Sequence, residues 1–207
     1  MHYQVTDQEK HSAKIPHHIF NINVIITHLA ISQVALEIGG GSPLPFLLVP
    51  IISGLVIFYL FKRSQQALAQ GDSWFVAANW TLAWRRGRNL LISYAVATLV
   101  IGIGVVLGKL VGGGLMMNDF SAEGSSTSIV EKISLFFGAI VVFFTVLYNF
   151  LQTGISVYDA GKGIIDPKIE KFAPRGENAN EELGEGSDEI HHLGAKQMNE
   201  NNAEEKQ

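Results

Sequence analysis

Residues 133–158, ISLFFGAIVVFFTVLYNFLQTGISVY, contain the pattern that decides the fold. When successive residues are placed about 100° apart, as in an α-helix, the small and polar residues fall in one sector about 60° wide. The members of this sector are Ser134, Gly138, Thr145, Asn149, Gln152 and Ser156. The opposite side is large and apolar, with Phe136, Phe143, Leu147 and Phe150. This division is typical of a membrane helix that meets lipid on one face and protein on the other.

Three further apolar segments have lengths close to the one that crosses a bilayer. The sequence therefore predicts an all-α, polytopic membrane bundle of four transmembrane helices, at about 19–38, 43–61, 90–111 and 133–158. The expected regions are a polar N-terminus at 1–17, the membrane bundle at 18–165, and a polar, largely disordered tail at 166–207.

The first of these segments is the least apolar. Its polar residues are Asn21, Asn23, His28, Gln33 and Glu37. Since a charged residue at mid-bilayer costs about 3 kcal/mol, a bundle of only three spans is the alternative. Pro16 precedes the segment and suits the opening turn of a helix, so we expect the helix to begin there.

The second segment is almost entirely apolar, and a glycine-rich break at 39–43 joins it to the first as a tight helical hairpin. Pro50 lies inside it and removes one backbone hydrogen bond, which predicts a kink that exposes the carbonyl of Phe46.

Positive charge is concentrated between the second and third segments. The bases there are Lys62, Arg63, Arg85, Arg86 and Arg88, against the single acid Asp72. Because positive loops lie on the cytoplasmic side, four spans place both termini in the cytoplasm. We predict a multi-pass protein of the bacterial inner membrane; if the first segment does not cross, the N-terminus lies outside.

The same connection contains all three tryptophans, Trp74, Trp80 and Trp84. Amphipathic rings beside Arg85, Arg86 and Arg88 favour the headgroup level of a bilayer. The stretch is interpreted as a cytoplasmic interfacial helix that leads into the third span. The alternative is a binding platform for anionic lipid or a soluble partner.

The tail beyond Pro174 is acidic and contains few aromatic residues, so it cannot bury a core. Its negative charge argues against nucleic acid as a partner. The expected partners are the lipid bilayer and other membrane helices.

Glycines recur every four residues in the third segment, at Gly104, Gly108 and Gly112. This spacing gives a helix a flat strip on which another helix can approach closely. It predicts helix packing at these three positions.

A candidate intramembrane polar site can be assembled from two segments. Asn21 and His28 share one helical face, and that face could pack on Thr145, Asn149 and Gln152 of the last span. Such a site could hold a proton or a polar ligand. The alternative is hydrogen bonding between helices, worth about 0.6 kcal/mol per contact in membranes.

No cofactor, metal or catalytic constellation is predicted. The chain has no cysteine, and every histidine except His28 lies in the terminal regions, so a haem between two spans lacks a second ligand. No nucleophile is paired with a base at membrane depth.

The sequence favours a non-enzymatic membrane protein that acts through helix contacts, as an accessory or assembly subunit or as a homo-oligomer. The competing hypothesis is a small transporter, channel or proton-linked component that uses His28 and the polar face of the fourth span. A membrane enzyme built on His28 or Glu37 is the third.

Overall fold

A computed structural model describes residues 1–39, 44–110, 116–118, 126–176 and 179–183. The chain is mostly helical, and four of its helices are long and apolar enough to cross a membrane. These helices are Asp7–Gly39, Leu44–Gln66, Trp74–Leu110 and Ile129–Gly161. The prediction of a mostly helical chain with four segments long and apolar enough to cross a membrane is confirmed.

The first helix begins earlier than Pro16. The Thr6 hydroxyl accepts from the Glu9 amide at 3.2 Å, and the Glu9 carboxylate accepts from the Thr6 amide at 2.7 Å, which closes a capping box. Helix α1, Asp7–Ile25, therefore has Pro16 in its interior, and the expected start at Pro16 is wrong. The helix continues through a π-helical segment, Ile26–Ile31, into α2, Ser32–Gly39.

The second helix also begins differently from the prediction. A 3₁₀ turn, Leu44–Leu47, leads into α3, Leu48–Gln66, so Pro50 lies in the first turn of α3. Proline fits there because the first amides of a helix have no carbonyl partner inside it. The structure therefore does not require the predicted mid-helix kink.

Helix α4, Trp74–Leu110, is a single helix of 37 residues. At a rise of about 1.5 Å per residue it is about 55 Å long, well beyond the thickness of a bilayer core. The stretch interpreted as an interfacial helix is thus the first part of the third spanning helix. Helix α5, Ile129–Gly161, is capped by the Ser128 hydroxyl.

The arrangement of the bundle places α1 and α4 centrally. Helix α5 packs against α4 and α1, whereas α3 packs mainly against α4. A short antiparallel pair, Met116–Asn118 (β2) and Ser126–Ser128 (β3), precedes α5.

Both ends of the described chain meet at one end of the bundle, which we call the base (residues 1–6, 162–176 and 179–183). Strand β1, His2–Tyr3, pairs antiparallel with β4, Glu182–Leu183, and the N-terminal amine donates to the Ile165 carbonyl at 3.1 Å. A 3₁₀ turn, Pro167–Lys171, covers the start of α4.

Apolar residues of the base pack on the start of α4 and continue the core of the bundle. The buried members of this part of the core are Tyr3, Trp74, Phe75, Ile165 and Ile169. Burial beside Glu170 raises the pKa of Tyr3 to about 12, so the phenol stays protonated and donates to that carboxylate at 3.2 Å. The folded part of the chain therefore extends beyond the expected boundary at residue 165. The rest of the predicted tail, 184–207, lies outside the described residues.

Candidate functional site

Four buried polar residues form a cluster around Arg86, which we call the Arg86 cluster (Arg86, His17, Asn79 and Ser156). Arg86 Nη2 donates to Ser156 Oγ at 2.6 Å, and Arg86 Nη1 lies 3.4 Å from His17 Nδ1. The other ring nitrogen, His17 Nε2, lies 2.9 Å from Asn79 Oδ1. The cluster therefore links α1, α4 and α5 near the base.

Hydrogen-bond roles in this cluster assign the protonation of His17. Asn79 Nδ2 donates to the Phe75 carbonyl at 2.9 Å, so Asn79 Oδ1 is left to accept. His17 Nε2 must then carry the proton, and Nδ1 accepts from Arg86. His17 is therefore neutral. Each group donates to the next in the series, from Arg86 through His17 and Asn79 to the Phe75 carbonyl.

The charge of Arg86 has no close counter-charge. The side chain is 9% exposed, and among the described residues no carboxylate lies within salt-bridge distance of it. Asp159 and Asp166 act on it from farther away. Arg86 is thus a positive charge inside the protein held by neutral partners, an arrangement that costs free energy unless an anion approaches.

A second cluster lies deeper in the bundle and contains His28 (the His28 cluster: His28, Thr27, Asn23, Ser53 and Tyr94). Tyr94 Oη lies 2.8 Å from His28 Nε2, and His28 Nδ1 lies 3.1 Å from the Val24 carbonyl. Because a carbonyl can only accept, Nδ1 carries the proton and Tyr94 donates to Nε2.

The remaining members extend the His28 cluster to the second spanning helix. Asn23 Nδ2 donates to Ser53 Oγ at 3.0 Å, and Thr27 Oγ1 donates to the Asn23 carbonyl at 2.6 Å. Thr27 and His28 belong to the π-helical segment, a local geometry found frequently at functional sites. The cluster joins the first three spanning helices.

The structure does not assemble the polar site predicted between the first and fourth spans. His28 contacts Tyr94 of α4, and Thr145 donates to the Val141 carbonyl of its own helix at 2.8 Å. Gln152 is half-buried, and Asn21 Oδ1 is buried with no partner. Asn149 is completely buried, and neither of its amide atoms has a hydrogen-bond partner among the described residues.

Asn79 and Tyr94 were not predicted as site residues, and Arg86 was predicted at the headgroup level instead of inside the bundle. Asn79, Arg86 and Tyr94 lie on the buried stripe of α4, which also includes Ala83, Leu90 and Ala97. This stripe has helical spacing and crosses the expected span boundary at residue 90. The helical spacing of these residues continues through that boundary, and this continuity in the sequence would have identified them.

Close approaches between α4 and α5 involve small residues. A Cβ on Gly104 would overlap the Ser134 hydroxyl, and one on Gly108 would lie 3.0 Å from Glu131 Cγ. Gly112 lies outside the described residues. Gly138, which the sequence places on the small and polar side of the last segment, faces Ile101 and the Ala97 carbonyl.

The predicted interfacial residues lie in several environments. Trp74 and Trp80 are buried inside the protein, and Trp84 packs on Phe61 with ring centroids 4.7 Å apart. Arg85 lies 3.1 Å from the ring centroid of Phe172, and Arg88 is exposed. Only part of this set therefore remains open to the surroundings.

A groove with a volume of about 470 Å³ lies between α4 and α5. Its lining residues are Asn89, Ile92, Ser93, Val96, Val141, Phe144, Thr145, Tyr148 and Asn149. Within the described residues, no group of three or more His, Asp or Glu side chains could hold a metal ion.

Comparison of the chain with protein-family models, with curated proteins and with solved structures finds no match. The functional argument therefore rests on the geometry of the bundle.

Proposed function

We propose that the protein is a non-enzymatic membrane subunit that acts through helix contacts, and that the outer face of α5 is its contact surface. This face consists of Phe136, Ile140, Phe143 and Leu147. The exposure of α5 carries the proposal. In its most apolar stretch 11% of residues are buried, against 22–28% in the other three spanning helices.

The chemistry of the outer face supports a protein partner. Phe136 is 62% exposed and Phe143 is 60% exposed, on the side of α5 opposite the polar stripe. Aromatic side chains are enriched in protein interfaces because they bury large areas at a small entropic cost. The hydrogen bonds of the His28 and Arg86 clusters connect different helices, which supports a structural role for these polar side chains.

The proposed orientation places the base in the cytoplasm of a bacterial inner membrane. Lys62, Arg63, Arg85 and Arg88 lie on the parts of α3 and α4 that lead to or from their connection, and positive charge favours the cytoplasmic side. Both described ends of the chain then lie on that side.

Site-specific photo-cross-linking in native membranes tests the contact surface. A benzoylphenylalanine at Phe143 should form an adduct, whereas one at Leu55, which is 67% exposed on α3, should not. An adduct of twice the chain mass identifies a second copy, and any other protein adduct identifies a different subunit. Absence of protein adducts at both Phe136 and Phe143 would refute the proposal.

The His28 cluster favours a second candidate function, a proton-linked or solute-linked component. The observation is a connected series of hydrogen bonds from Ser53 through Asn23 and Thr27 to His28. Tyr94 Oη continues the series at the other nitrogen of the His28 ring. Residues that conduct protons through membranes have this character.

Cysteine accessibility distinguishes the second candidate from a purely structural cluster, and the chain has no native cysteine to interfere. A cysteine at Ser53 should react with a water-soluble thiol reagent if water reaches the cluster. Gln66→Cys, at an exposed position, is the reactive control, and Leu55→Cys is the lipid-facing control. An inert Ser53→Cys variant removes this candidate.

A further inference from the structure

We propose that the groove between α4 and α5 binds an anionic phospholipid, with the phosphate beside Arg86 and an acyl chain along the apolar wall. This inference is independent of the contact surface on the outer face of α5, because the groove lies on a different side of that helix.

The first support is the charge of Arg86, which precedes the lining residues of the groove on α4 but is not itself one of them. Arg86 is buried with only neutral atoms in hydrogen-bond contact, His17 Nδ1 and Ser156 Oγ, among the described residues. Asp159 and Asp166 compensate it only from a distance. A phosphate can accept two parallel hydrogen bonds from a guanidinium.

The second support is the continuity between Arg86 and the groove. Asn89 and Ser93 follow Arg86 at helical spacing on α4, and both line the groove. Tyr148 lines it from α5 and is close enough to act on the charge of Arg86. An anion at the base end of the groove would therefore lie near Arg86, beside the Asn89 amide and the Tyr148 hydroxyl. The Ser93 hydroxyl already donates to the Leu90 carbonyl at 2.8 Å.

The third support is the change in the lining along the groove. The base end has Asn89, Ser93 and Tyr148, and the apolar wall has Ile92, Val96, Val141 and Phe144. From Asn89 to Val96 the helix rises about 10 Å, away from the base. A headgroup followed by a hydrocarbon chain matches this order of polar and apolar surfaces.

The fourth support is an unpaired polar group in the wall. Asn149 lines the groove, is completely buried, and has neither its donor nor its acceptor paired. Buried amides in membranes are almost always hydrogen-bonded, so this one indicates a missing partner. The ester oxygens of a phospholipid are hydrogen-bond acceptors, which the Asn149 amide lacks among the described residues.

Lipid retention tests the proposal on the full-length protein. The protein is purified in mild detergent, stripped of lipid, and mixed with phosphatidylglycerol or phosphatidylcholine; native mass spectrometry then counts bound lipids. We expect phosphatidylglycerol to bind about tenfold more tightly, which corresponds to about 1.4 kcal/mol. Equal retention of the two lipids would overturn the proposal.

Two arginine variants separate a specific site from general attraction to negative lipid. Arg86→Gln and Arg88→Gln each remove one positive charge from α4, but Arg88 is exposed. The preference should disappear in Arg86→Gln and change less than about twofold in Arg88→Gln. Equal losses in the two variants would refute a specific site.

A groove-filling variant covers the case in which Arg86→Gln does not fold. Val96→Trp fills the apolar wall and leaves the Arg86 cluster intact, so bound phosphatidylglycerol should be lost while the protein remains folded. Unchanged retention contradicts the proposal. Inorganic phosphate alone should not raise the melting temperature as the lipid does; an equal increase would indicate a free-anion site and overturn the lipid assignment.

Discussion

The Arg86 guanidinium and the Ser156 hydroxyl are joined by a hydrogen bond of 2.6 Å that fixes α4 against α5 near the base. It is the shortest hydrogen bond of the Arg86 cluster. Ser156 Oγ is also the acceptor closest to the guanidinium, which has no carboxylate within salt-bridge distance among the described residues. Loss of this hydrogen bond therefore affects both the helix pair and the solvation of the arginine.

Ser156→Ala should lower the free energy of unfolding by about 1.5–3 kcal/mol, the range for hydrogen bonds to charged groups. The measurement is thermal or denaturant unfolding in detergent. Thr145→Val is the matched control on α5, because the Thr145 hydroxyl bonds only within its own helix. Equal destabilisation by Ser156→Ala and Thr145→Val would show that the hydrogen bond to Arg86 adds no more to stability than a hydrogen bond within one helix.

The link between His17 and Asn79 should be strongly coupled. Either single change to Leu leaves a buried polar atom without its partner and should cost about 1–3 kcal/mol. The double variant His17→Leu/Asn79→Leu should cost less than the sum of the two single variants, because neither polar side chain is then present to be left without its partner. A double-mutant cycle measures this difference, and strict additivity would contradict the hydrogen bond at 2.9 Å.

Gly104 and Gly102 provide a matched pair on α4. A side chain at Gly104 would overlap Ser134 of α5, whereas a Cβ at Gly102 meets nothing within 4 Å. Gly104→Leu should separate the helices and lower the melting temperature. Gly102→Leu should be neutral or slightly stabilising, since Leu favours helix by about 0.8 kcal/mol over Gly.

Cysteine pairs across α4 and α5 give a direct readout of this separation. A disulfide between cysteines at Ile101 and Gly138, which are in contact, should form in Gly102→Leu and be lost in Gly104→Leu. Formation at the same rate in both backgrounds would mean that the helices repack without moving apart.

The faces of α5 show how far the sequence predicts this fold. Helical periodicity alone placed Gly138, Asn149 and Ser156 on one side, and the structure buries them while Phe136 and Phe143 are exposed. Periodicity determines which residues share a face because the helix geometry is fixed. It does not determine which neighbour meets that face.

The polar clusters show the limit of that prediction. His28 was expected to face the fourth span, but it bonds to Tyr94 because the π-helical segment and the packing of α1 on α4 place it there. Arg86 was expected among headgroup-facing residues, yet His17 and Ser156 hold it inside. These contacts depend on how three helices pack together. The spacing of residues within one segment carries no information about that packing.

Tyr94→Phe should cost about 0.6 kcal/mol of stability, the average for a hydrogen bond between membrane helices. The change removes the only hydroxyl at hydrogen-bond distance from His28 Nε2 among the described residues, 2.8 Å away, and keeps the ring that stacks on it. Tyr59→Phe, at an exposed ring on α3, is the control and should have no effect. A much larger loss for Tyr94→Phe would indicate that the whole His28 cluster depends on this single donor.

Asn149→Leu should behave oppositely to the other core substitutions. Leu has the same number of side-chain heavy atoms as Asn and has no amide to leave unpaired, and both amide atoms of Asn149 lack partners in the described structure. In delipidated protein the melting temperature should therefore stay the same or rise. Adding phosphatidylglycerol should stabilise the original chain more than the variant, because only the original amide gains a partner. If Asn149→Leu is instead destabilising in delipidated protein, then Asn149 already has a partner inside the bundle and the missing-partner argument for the groove fails.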